Sequence, residues 1–383
     1  MRNNNRGMAL ILVLWIMLAL ILLAAGISIM ARTETEISRN HSDLIRCRWA
    51  ARAGIYSAME TLKTLNQEEA TYLDEEPYTI TSDDLSLDFG GYVFNLVIQD
   101  ETSRVNINTA EERTLTKLFE TTDLVDCIID WRDTDDTPGP DGAETEYYNT
   151  LKPSYNCKNA DFETVRELQL VKGVTSDILS APMTTGTMPL IDMLTVFAPN
   201  TQTTTDTSGL VDIQSATQES LQSAFGSILS ADDITAIIQY RTSQPFKTPA
   251  EIVLVPSLDR SRIVQIYDQL TVSGVEAKKG LVNINTASID VLSVIPGFDQ
   301  DIATAIINYR KDQGAYSSVG QLLETKEVTN EAFVSAAPYF TIKSTVFRII
   351  STGSLESSGA TATITCIVEI SSDGKTQIRY WQE

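Results

Sequence analysis

The sequence predicts an α+β protein in which a long amino-terminal helix packs on an antiparallel sheet and a large all-α domain is inserted into that sheet. Three observations predict this class. An uncharged apolar stretch near the start continues into helical periodicity, strand-like alternation occurs before residue 100 and again only after 345, and an internal repeat fills the interval. With 383 residues, 43% of them hydrophobic and 21% charged, the chain has the composition of a globular protein of two or three domains.

The charge balance is strongly acidic, with 51 acidic against 29 basic residues and a formal net charge of −22. Such a field repels phosphate backbones and argues against general nucleic-acid binding, while it suits a cation-binding or protein-binding surface. The four cysteines have no CxxC spacing and there is a single histidine, so a transition-metal site is not expected. No G-x-S-x-G pattern is present, and we predict that the protein is not an enzyme.

The amino-terminal stretch 8–31 carries no charge, and as a helix of roughly 36 Å it is long enough to span a bilayer. Arg2 and Arg6 precede it, which places the leader in the cytoplasm and everything after Arg32 outside. Three interpretations remain open at this point: a cleaved secretory signal, a plain anchor, or a processed segment that stays on the protein. Beyond the stretch, apolar residues recur at helical spacing and predict one continuous helix, at Ile37, Leu44, Ile45, Ile55, Ala58, Met59, Leu62 and Leu65.

Strand signals occur at both ends of the head that follows. GYVFNLVIQD alternates strictly, and TVFRIISTG, TATITCIVEI and KTQIRYWQE near the end are separated by Gly/Ser-rich turns. A sheet that begins before residue 100 and is completed after 345 must accommodate the intervening chain as an insertion. We therefore divide the chain into a leader, a membrane part, the first part of the head, an α-helical insert and the carboxy-terminal strands, at 1–7, 8–31, 32–103, 104–340 and 341–383.

The insert contains a threefold repeat. RVNINTA, LVDIQSA and LVNINTA open unit 1 (about 104–190), unit 2 (about 210–273) and unit 3 (about 281–343), and each unit later closes a helix with IIDWR, IIQYR or IINYR. An aromatic residue and a pair with capping-box spacing follow in each, namely Thr164 with Glu167, Thr248 with Glu251, and Ser318 with Gln321. The units resemble helix-hairpin-helix repeats. Because acids follow Gly297, at Asp299 and Asp301, a packing module is favoured over a DNA clamp.

Unit 1 differs by an acidic loop (133–161) between its closing arginine and its aromatic residue. Carboxylates of the kind that hard divalent cations such as Ca²⁺ bind are dense in and just before it, at Asp130, Asp133, Asp135, Asp136, Asp141, Glu144 and Glu146. Their spacing is not that of an EF-hand. A solvated acidic loop and a Ca²⁺ site that neutralises these charges both remain open. Cys127 and Cys157 flank the loop, either as a disulfide or as two buried free thiols.

A basic leader that ends in Gly7 directly before an apolar run resembles the processing site of type IV pilins and pseudopilins. The resemblance implies that a prepilin peptidase cuts between Gly7 and Met8 and methylates the new amino terminus at Met8. It also implies a pilin-like fold, in which the apolar helix stays on the protein. The fifth residue of the mature chain would be Leu12, where most members of that class have glutamate.

Together with the interrupted sheet, the motifs IIDWRDTDDTPGPDGAETEYY and VNINTA resemble the minor pseudopilin K family of the type II (general) secretion pathway, over nearly the whole chain. The resemblance implies a helical domain within a pseudopilin sheet and calcium bound in a region carried here by Asp133, Asp135, Gly142, Ala143, Glu144, Tyr147 and Tyr148. The middle unit, about 205–275, looks additional to the usual insert. The family further implies a single-pass protein of the bacterial inner membrane with its bulk in the periplasm.

The function that this resemblance implies is to cap the tip of a periplasmic pseudopilus and prime its assembly for the export of folded proteins. The expected partners are the other minor pseudopilins, the major pseudopilin, the prepilin peptidase, the inner-membrane secretion platform and inner-membrane lipid, with no nucleic acid. The alternative is a membrane-anchored DNA receptor of the competence type that uses helix-hairpin-helix units. That function requires a basic exposed domain, and this chain is acidic.

Overall fold

The computed structural model describes residues 5–65, 78–81, 90–197, 209–256, 258–274, 280–371 and 374–383. Its first element is a single helix, α1 (Asn5–Leu65), which contains the whole apolar stretch and confirms the predicted continuous helix. Within the described residues, α1 is the one helix long and apolar enough to cross a membrane, and none of its most apolar window is buried. Ile37, Leu44 and Ile45 are exposed, whereas the helix becomes half-buried further along, from Cys47 onward.

The strands form one sheet and three short pairs. In chain order the strands are β1 (Tyr78–Thr81), β2 (Tyr92–Asp100), β3 (Val105–Asn106), β4 (Leu194–Thr195), β5 (Val211–Asp212), β6 (Leu270–Thr271), β7 (Val282–Asn283), β8 (Phe340–Thr341), β9 (Val346–Leu355), β10 (Ala360–Ile370) and β11 (Thr376–Gln382). The described residues place five of them in an antiparallel sheet of order β1-β2-β9-β10-β11. The pilin-like α+β fold is therefore confirmed.

The insert joins two neighbouring strands of this sheet. β2 and β9 are antiparallel partners whose register pairs Asp100 with Phe347 and Tyr92 with Leu355. The chain leaves the sheet after Asp100 and returns to it at Val346, so both junctions lie at the same end of adjacent strands. A domain can be inserted there without disturbing the ladder, because the two connections lie side by side.

Helix α1 packs closely on the face of the sheet. Its buried side chains, among them Ile55 and Leu62, share a core with Phe94, Leu96 and Ile349. The close approach depends on Gly353, because a Cβ at that position would lie 1.9 Å from the carbonyl oxygen of Cys47. Any larger residue at Gly353 would therefore force the helix away from the sheet.

The contacts along α1 also give the direction of β2. Asp43 accepts a hydrogen bond of 3.0 Å from the hydroxyl of Tyr92 at the start of β2, and Gly54 lies against Leu96 in its middle. These contacts advance by about 16 Å along the helix and by about 13 Å along the strand, so β2 runs in the same direction as α1. The end of β2 at Asp100, and with it the insert, therefore lies at the end of the sheet remote from the apolar stretch.

The insert is built from short helices. After α1 they are α2 (Glu112–Phe119), α3 (Thr122–Arg132), α4 (Thr145–Asn149), α5 (Ser176–Ser180), α6 (Leu190–Met193), α7 (Gln218–Phe225), α8 (Ala231–Ser243), α9 (Arg260–Ile266), α10 (Ile289–Val294), α11 (Gln300–Gln313) and α12 (Asn330–Ala336). Each unit is closed by a two-residue parallel pair, β3 with β4, β5 with β6, or β7 with β8. One hydrophobic core runs through all three units and is separate from the core under α1.

The repeated arginines hold the same turn in each unit. In unit 3, the guanidinium of Arg310 donates to the carbonyl oxygens of Ile284 and Ala287, both at 2.8 Å. The equivalent bonds in the other units join Arg132 to Ile107 and Ala110, and Arg241 to Ile213 and Ala216. The repeat therefore carries a structural clamp, in which a guanidinium fork satisfies carbonyls that no helix or strand uses.

The predicted capping boxes are wrong in their detail. Each one lies at the start of a six-residue 3₁₀ helix, Val165–Leu170, Pro249–Leu254 or Val319–Glu324. The side chains of Glu167, Glu251 and Gln321 accept from the backbone N–H one residue before the cap, because the tighter 3₁₀ turn shifts the reach of the side chain. A capping box does form at Ser230 and Asp233, at the start of α8, where the sequence analysis did not place one.

Two buried acids fasten the sheet to the insert. The carboxylate of Asp100 accepts hydrogen bonds from Thr102, from Asn283 and Thr286 of unit 3, and from Ser344 at the return to the sheet. Glu101, which is fully buried, is paired with Arg104 at 2.7 Å and with Arg348 at 2.8 Å. Burial alone would raise the pKa of Glu101, but the bonds and charges of Arg348 and Arg104 outweigh it and hold the pKa below its ordinary value.

Candidate cation site in the acidic loop

The acidic loop begins where α3 ends, and Asp130 in the last turn of α3 organises it. The buried carboxylate of Asp130 accepts hydrogen bonds from the backbone N–H of Gly139 at 3.1 Å and of Ala143 at 2.7 Å. A Cβ at Gly142 would lie 1.9 Å from Asp130 Oδ2, so the loop can fold over this carboxylate only with glycine there. Asp130 therefore positions the loop rather than offering its oxygens freely to a ligand.

Three carboxylates of the loop converge on one point. Asp133, Asp135 and Glu144 each offer an oxygen, and these oxygens lie within 4.8 Å of one another. Glu144 is only 4% exposed, and both of its carboxylate oxygens are buried without a hydrogen-bond partner among the described residues, as is Oδ1 of Asp133. Asn159 adjoins this group through a bond from its Nδ2 to the carbonyl of Asp135, and its own amide oxygen is also buried without a partner.

The electrostatics of the group are unfavourable for an anion. Burial, followed by the charges of Asp130 and Asp133, raises the pKa of Glu144 to about 7. Burial and the carboxylate of Asp135 likewise raise the pKa of Asp133. Glu144 is buried, Asp133 is half-buried and Asp135 is exposed, and like charges this close, with orphaned oxygens on Asp133 and Glu144, need a compensating cation. The donor set of carboxylate and amide oxygens is the one that hard cations such as Ca²⁺ take, so the residues present fit such an ion.

A basic side chain beside the loop is engaged with the loop backbone. Lys172 Nζ donates to the carbonyl oxygens of Asp141 and Gly142, both at 3.1 Å, and lies 5.2 Å from the ring centroid of Tyr147. It therefore holds the backbone of the loop, while the charge of Arg132 offsets the raised pKa of Asp133 only in part.

The seven predicted ligands thus divide into three roles. Asp133, Asp135 and Glu144 form the candidate site, and Asp130 holds the loop from beneath. The others are exposed acids outside this group, namely Asp136, Asp141 and Glu146, although the charge of Asp136 adds to the raised pKa of Glu144. The sequence analysis did not identify two residues that contact the acidic loop. One is Asn159, and the other is Asp126, whose carboxylate accepts a hydrogen bond of 3.0 Å from the backbone N–H of Asp141. No spacing signal identifies either, although an asparagine at positive φ, 48° here, is typical of a tight turn.

An aromatic cluster supports the loop from the core side. Tyr148 is fully buried and meets Trp131 edge-on at a centroid distance of 5.1 Å and Tyr155 at 5.3 Å. Its hydroxyl accepts a bond of 3.2 Å from the backbone N–H of Lys172. The short helix α4 is thereby fixed, and with it Glu144, which directly precedes that helix and makes no side-chain capping bond.

In the structure, Cys127 and Cys157 are both buried free thiols and do not form a disulfide. Their sulfur atoms lie against loop carbonyls, Cys127 Sγ at 3.4 Å from the oxygen of Asp141 and Cys157 Sγ at 3.6 Å from that of Asp130. Burial raises the pKa of Cys157 to about 12, with Glu144 contributing. Both thiols therefore act as small apolar packing groups beside the site.

At the amino terminus, α1 already begins at Asn5, so the predicted processing position between Gly7 and Met8 lies within helical chain. The side chains of Met8 and Leu12 are exposed, Leu12 at 61%. Processing and methylation at this position stay predictions.

Comparison with known proteins agrees with these features. The sequence model of the family "Type II secretion system (T2SS), protein K" matches residues 93–183, which contain the acidic loop, and that of the helix-hairpin-helix motif matches 277–341, which contain unit 3. The type II secretion system protein K of Pseudomonas aeruginosa is 26% identical over 265 residues, 61% of this chain and 77% of that protein.

Two further similarities are more limited. The ComE operon protein 1 of Bacillus subtilis is 28% identical over 92 residues, 24% of this chain and 45% of that protein. The crystal structure of the GspK-GspI-GspJ complex from enterotoxigenic Escherichia coli contains a chain that is similar at 10% identity and a TM-score of 0.49, over 92% of this chain and 98% of that one.

The protein K match spans the strand that leads into the insert, the first repeat and the candidate cation site, and the Pseudomonas relative extends it over most of the chain. The described fold has the long helix, antiparallel sheet and helical insert that the sequence predicted. This chain therefore resembles the protein K family of minor pseudopilins of the type II secretion system in the strand before the insert, the first repeat and the candidate cation site.

Proposed function

We propose that this minor pseudopilin caps the tip of a periplasmic pseudopilus and primes its assembly for the export of folded proteins. The observation that carries the proposal is the place of the insert, which joins the sheet at the end remote from the apolar stretch of α1. In a filament whose subunits bundle their apolar helices, a domain of this size at the outer end blocks the position of a further subunit above it. Such a subunit fits only at the tip.

The residue at position 12 supports the same place in the filament. A glutamate in an apolar helix is costly unless it is paired, and a filament subunit pairs it with the amino terminus of a neighbour. With leucine at position 12, the chain has neither the free-energy cost of a buried carboxylate nor the contact with a neighbour's amino terminus. A subunit that enters the assembly first has no predecessor to pair with, so it loses nothing by this change.

The outward face of α1 beyond the apolar stretch supports binding to other minor pseudopilins. Ile45, Trp49 and Tyr56 are exposed on this face, with Trp49 at 62%. A row of exposed large apolar side chains on the helix that filaments bundle is a suitable contact surface. Contacts with the major pseudopilin, the prepilin peptidase and the inner-membrane platform belong to the same proposal.

We infer further that α1 anchors the protein in the bacterial inner membrane, with the head and insert in the periplasm. Cleavage between Gly7 and Met8 and methylation of Met8 would leave the anchor on the mature chain. Intact mass of the mature protein tests this, with a Gly7→Glu variant expected to keep the leader. A mature chain that begins after Ala25 or Ala31, or that still carries Met1, contradicts it.

The candidate cation site supports Ca²⁺ as a structural cofactor held by Asp133, Asp135 and Glu144. The ion would supply the positive charge that the loop lacks and would order the loop against α3 and α4. The support is the set of buried carboxylate oxygens without partners. We propose no catalytic role, since the named relatives of the family are components of a secretion system.

Deleting the protein tests the tip proposal. Export should be lost or strongly impaired while the major pseudopilin stays present, and Leu12→Glu should be mild if the bulk of the insert fixes the position. A Trp49→Cys variant should crosslink to minor pseudopilins, and a Ser227→Cys variant on the exposed hairpin of unit 2 should not. Crosslinks distributed along the filament shaft would overturn the proposal.

The competence-type DNA receptor is the weaker alternative. The similarity to ComE operon protein 1 covers a quarter of the chain, and the net charge of −22 opposes binding to a phosphate backbone. A gel shift of the full chain with short duplex DNA at low salt distinguishes the two, and tight binding there would favour the receptor.

A further inference from the structure

One face of α1 beyond the apolar stretch is exposed and rich in aromatic residues. Ile45, Trp49 and Tyr56 lie on it, and Tyr56 is 61% exposed. Their spacing of four and seven residues places them on one side of the helix, opposite the side that packs on the sheet. A row of exposed aromatic side chains on a helix indicates a contact surface.

The charges of this stretch have the opposite sign to the charge of the whole chain. From Leu44 to Met59, α1 carries three arginines and no aspartate or glutamate, whereas the chain has a net charge of −22. Arg46 lies to one side, with its guanidinium carbon 5.7 Å from the ring centroid of Tyr92 at the start of β2. The other two arginines, Arg48 and Arg52, remain for the aromatic face.

Arg52 is held in place by the chain itself. Its Nε donates a hydrogen bond of 2.9 Å to the carboxylate of Glu383, and Trp381 Nε1 donates to the same oxygen at 2.9 Å. The guanidinium carbon of Arg52 lies 4.8 Å from the ring centroid of Trp49. The hydrogen bonds from Trp381 and Arg52 lower the pKa of Glu383, and the charge of Arg48 adds to this. Arg52 is therefore already paired, and it stabilises the position of the Trp49 ring.

Arg48 differs from Arg52, because no acid forms an ion pair with it among the described residues. It is exposed and lies one turn before Arg52, at the edge of the aromatic face. Its charge reaches Glu383 only through space. Tryptophan, tyrosine and arginine are the residues that most often contribute the binding energy of protein interfaces. The face therefore offers one unpaired cation beside exposed aromatic side chains.

We propose that this surface, formed by Ile45, Arg48, Trp49, Arg52 and Tyr56, binds an amphipathic helix of a neighbouring pseudopilin, and that a carboxylate of that helix pairs with Arg48. The inference rests on the proposed function and adds the chemistry of the partner. The partner segment is a helix because the surface continues from the apolar stretch that subunits bundle. From Ile45 to Tyr56 the surface is about 17 Å long, or about three helical turns, which is sufficient for two helices to pack.

Electrostatics disfavour a second copy of this chain as the partner. Two copies anchored in one membrane would place Arg48 and Arg52 of each helix at the same height, and these like charges repel. A different helix with an aspartate or glutamate at this height gains an ion pair instead. The aromatic side chains thus supply contact area, while Arg48 selects the partner.

Zero-length crosslinking tests the carboxylate. In an Arg48→Lys variant, a water-soluble carbodiimide joins the lysine amine to a carboxylate in contact with it, as an amide formed with loss of water. Arg39 provides the matched control, because it is exposed and, nine residues earlier, lies on the opposite side of the same helix. In membranes that contain all the pseudopilins, Arg48→Lys should be joined to an acid in the amino-terminal helix of another minor pseudopilin, and Arg39→Lys should not. Mass spectrometry of the crosslinked peptides identifies the acid.

Affinity provides an independent measurement on the full chain in detergent micelles, with the other minor pseudopilins of the same bacterium as the probe. Arg48→Ala should lower the affinity at least ~10-fold at about 0.05 M salt and much less at about 0.5 M, where the ion pair is screened. Arg39→Ala should change neither value.

Equal crosslinking of the two lysine variants would overturn the inference, as would a crosslink between two copies of this chain or an unchanged affinity of Arg48→Ala. Such results leave the proposed function intact if Trp49→Cys still crosslinks to minor pseudopilins. If Trp49→Cys forms no such crosslink, the proposed function itself fails.

Discussion

Glu101 and Glu144 are both buried glutamates of the same chain, one at the junction of sheet and insert and one in the acidic loop. Glu101 is fully buried and pairs with two arginines, and its pKa is lowered. Glu144 is 4% exposed, neither of its oxygens has a hydrogen-bond partner among the described residues, and its pKa is raised to about 7. Among the described residues, arginine side chains pair with Glu101, whereas no basic side chain pairs with Glu144.

This difference distinguishes a structural ion pair, at Glu101, from a candidate ligand site, at Glu144. A buried carboxylate that the chain itself neutralises joins two parts of the structure, as Glu101 joins the insert to β9 through Arg348. A buried carboxylate that the chain leaves uncompensated is completed from outside. Changes at the two places should therefore respond in opposite ways to added Ca²⁺.

The largest effect is expected at the junction. Glu101→Gln leaves Arg104 and Arg348 without their charged partner and should lower the free energy of unfolding by ~3–5 kcal/mol, with or without Ca²⁺. Urea unfolding followed by tryptophan fluorescence measures it. Glu327→Gln, at an exposed glutamate, is the control, and an equal effect of the two variants would contradict the structural role of the pair.

Removal of Ca²⁺ is expected to act on the loop and leave the junction unchanged. A free Ca²⁺ concentration of ~100 times the Kd stabilises the folded chain by about 2.7 kcal/mol, and chelation removes that amount. Limited proteolysis should then cut within 133–146 while unit 3 stays intact. Calorimetry without any heat of Ca²⁺ binding, together with a melting temperature unaffected by chelator, would rule out the site.

Glu144→Gln should lower the affinity for Ca²⁺ by at least ~10-fold, because it removes a charged ligand. In chelator the same change should raise the free energy of unfolding by about 1 kcal/mol, because it removes a repelled buried charge. Glu356→Gln, at an exposed acid between β9 and β10 and outside the loop, should change neither quantity appreciably. A loss of stability in both conditions would show that Glu144 has a partner within the chain.

The smallest effect is a pH dependence of opposite sign in the two states of the loop. The folded pKa of Glu144 is raised to about 7 above its ordinary value of 4.5, so the folded, metal-free loop binds more protons than the unfolded chain between these values. Its stability should therefore increase as the pH falls from 8 to 6, by about 1.3 kcal/mol at most. With Ca²⁺ bound it should decrease instead, because protons compete with the ion.

The junction should show no such change over that range. The pKa of Glu101 is lowered, so its contribution is present above the ordinary glutamate value and is lost only as the pH falls through the lowered value. Hydrogen exchange of peptides covering 139–144 and 99–104 follows both regions in one experiment. A junction that weakens between pH 8 and 6 would contradict the ion pairs described.

The sequence by itself determined the elements of this protein, because each depends on local spacing. Apolar periodicity is carried by adjacent turns, so α1 and the alternation in β2 could be predicted directly. Repetition of whole motifs was sufficient to identify the three units. Acidic density in one loop indicated where a cation would bind, since the composition of a short segment limits its chemistry.

Only the tertiary structure decided which residues meet. Three of seven predicted carboxylates converge, and Asp130 turns inward to hold the loop, because the path of the backbone after α3 sets the direction of each side chain. The three predicted capping boxes begin 3₁₀ helices instead, where the tighter turn shifts the reach of the side chains. Lys117 lies far from Phe298 in the chain, yet packing of unit 1 on unit 3 places its ammonium on that carbonyl. Contacts between distant segments depend on the relative position of packed elements, which no local pattern in the sequence contains.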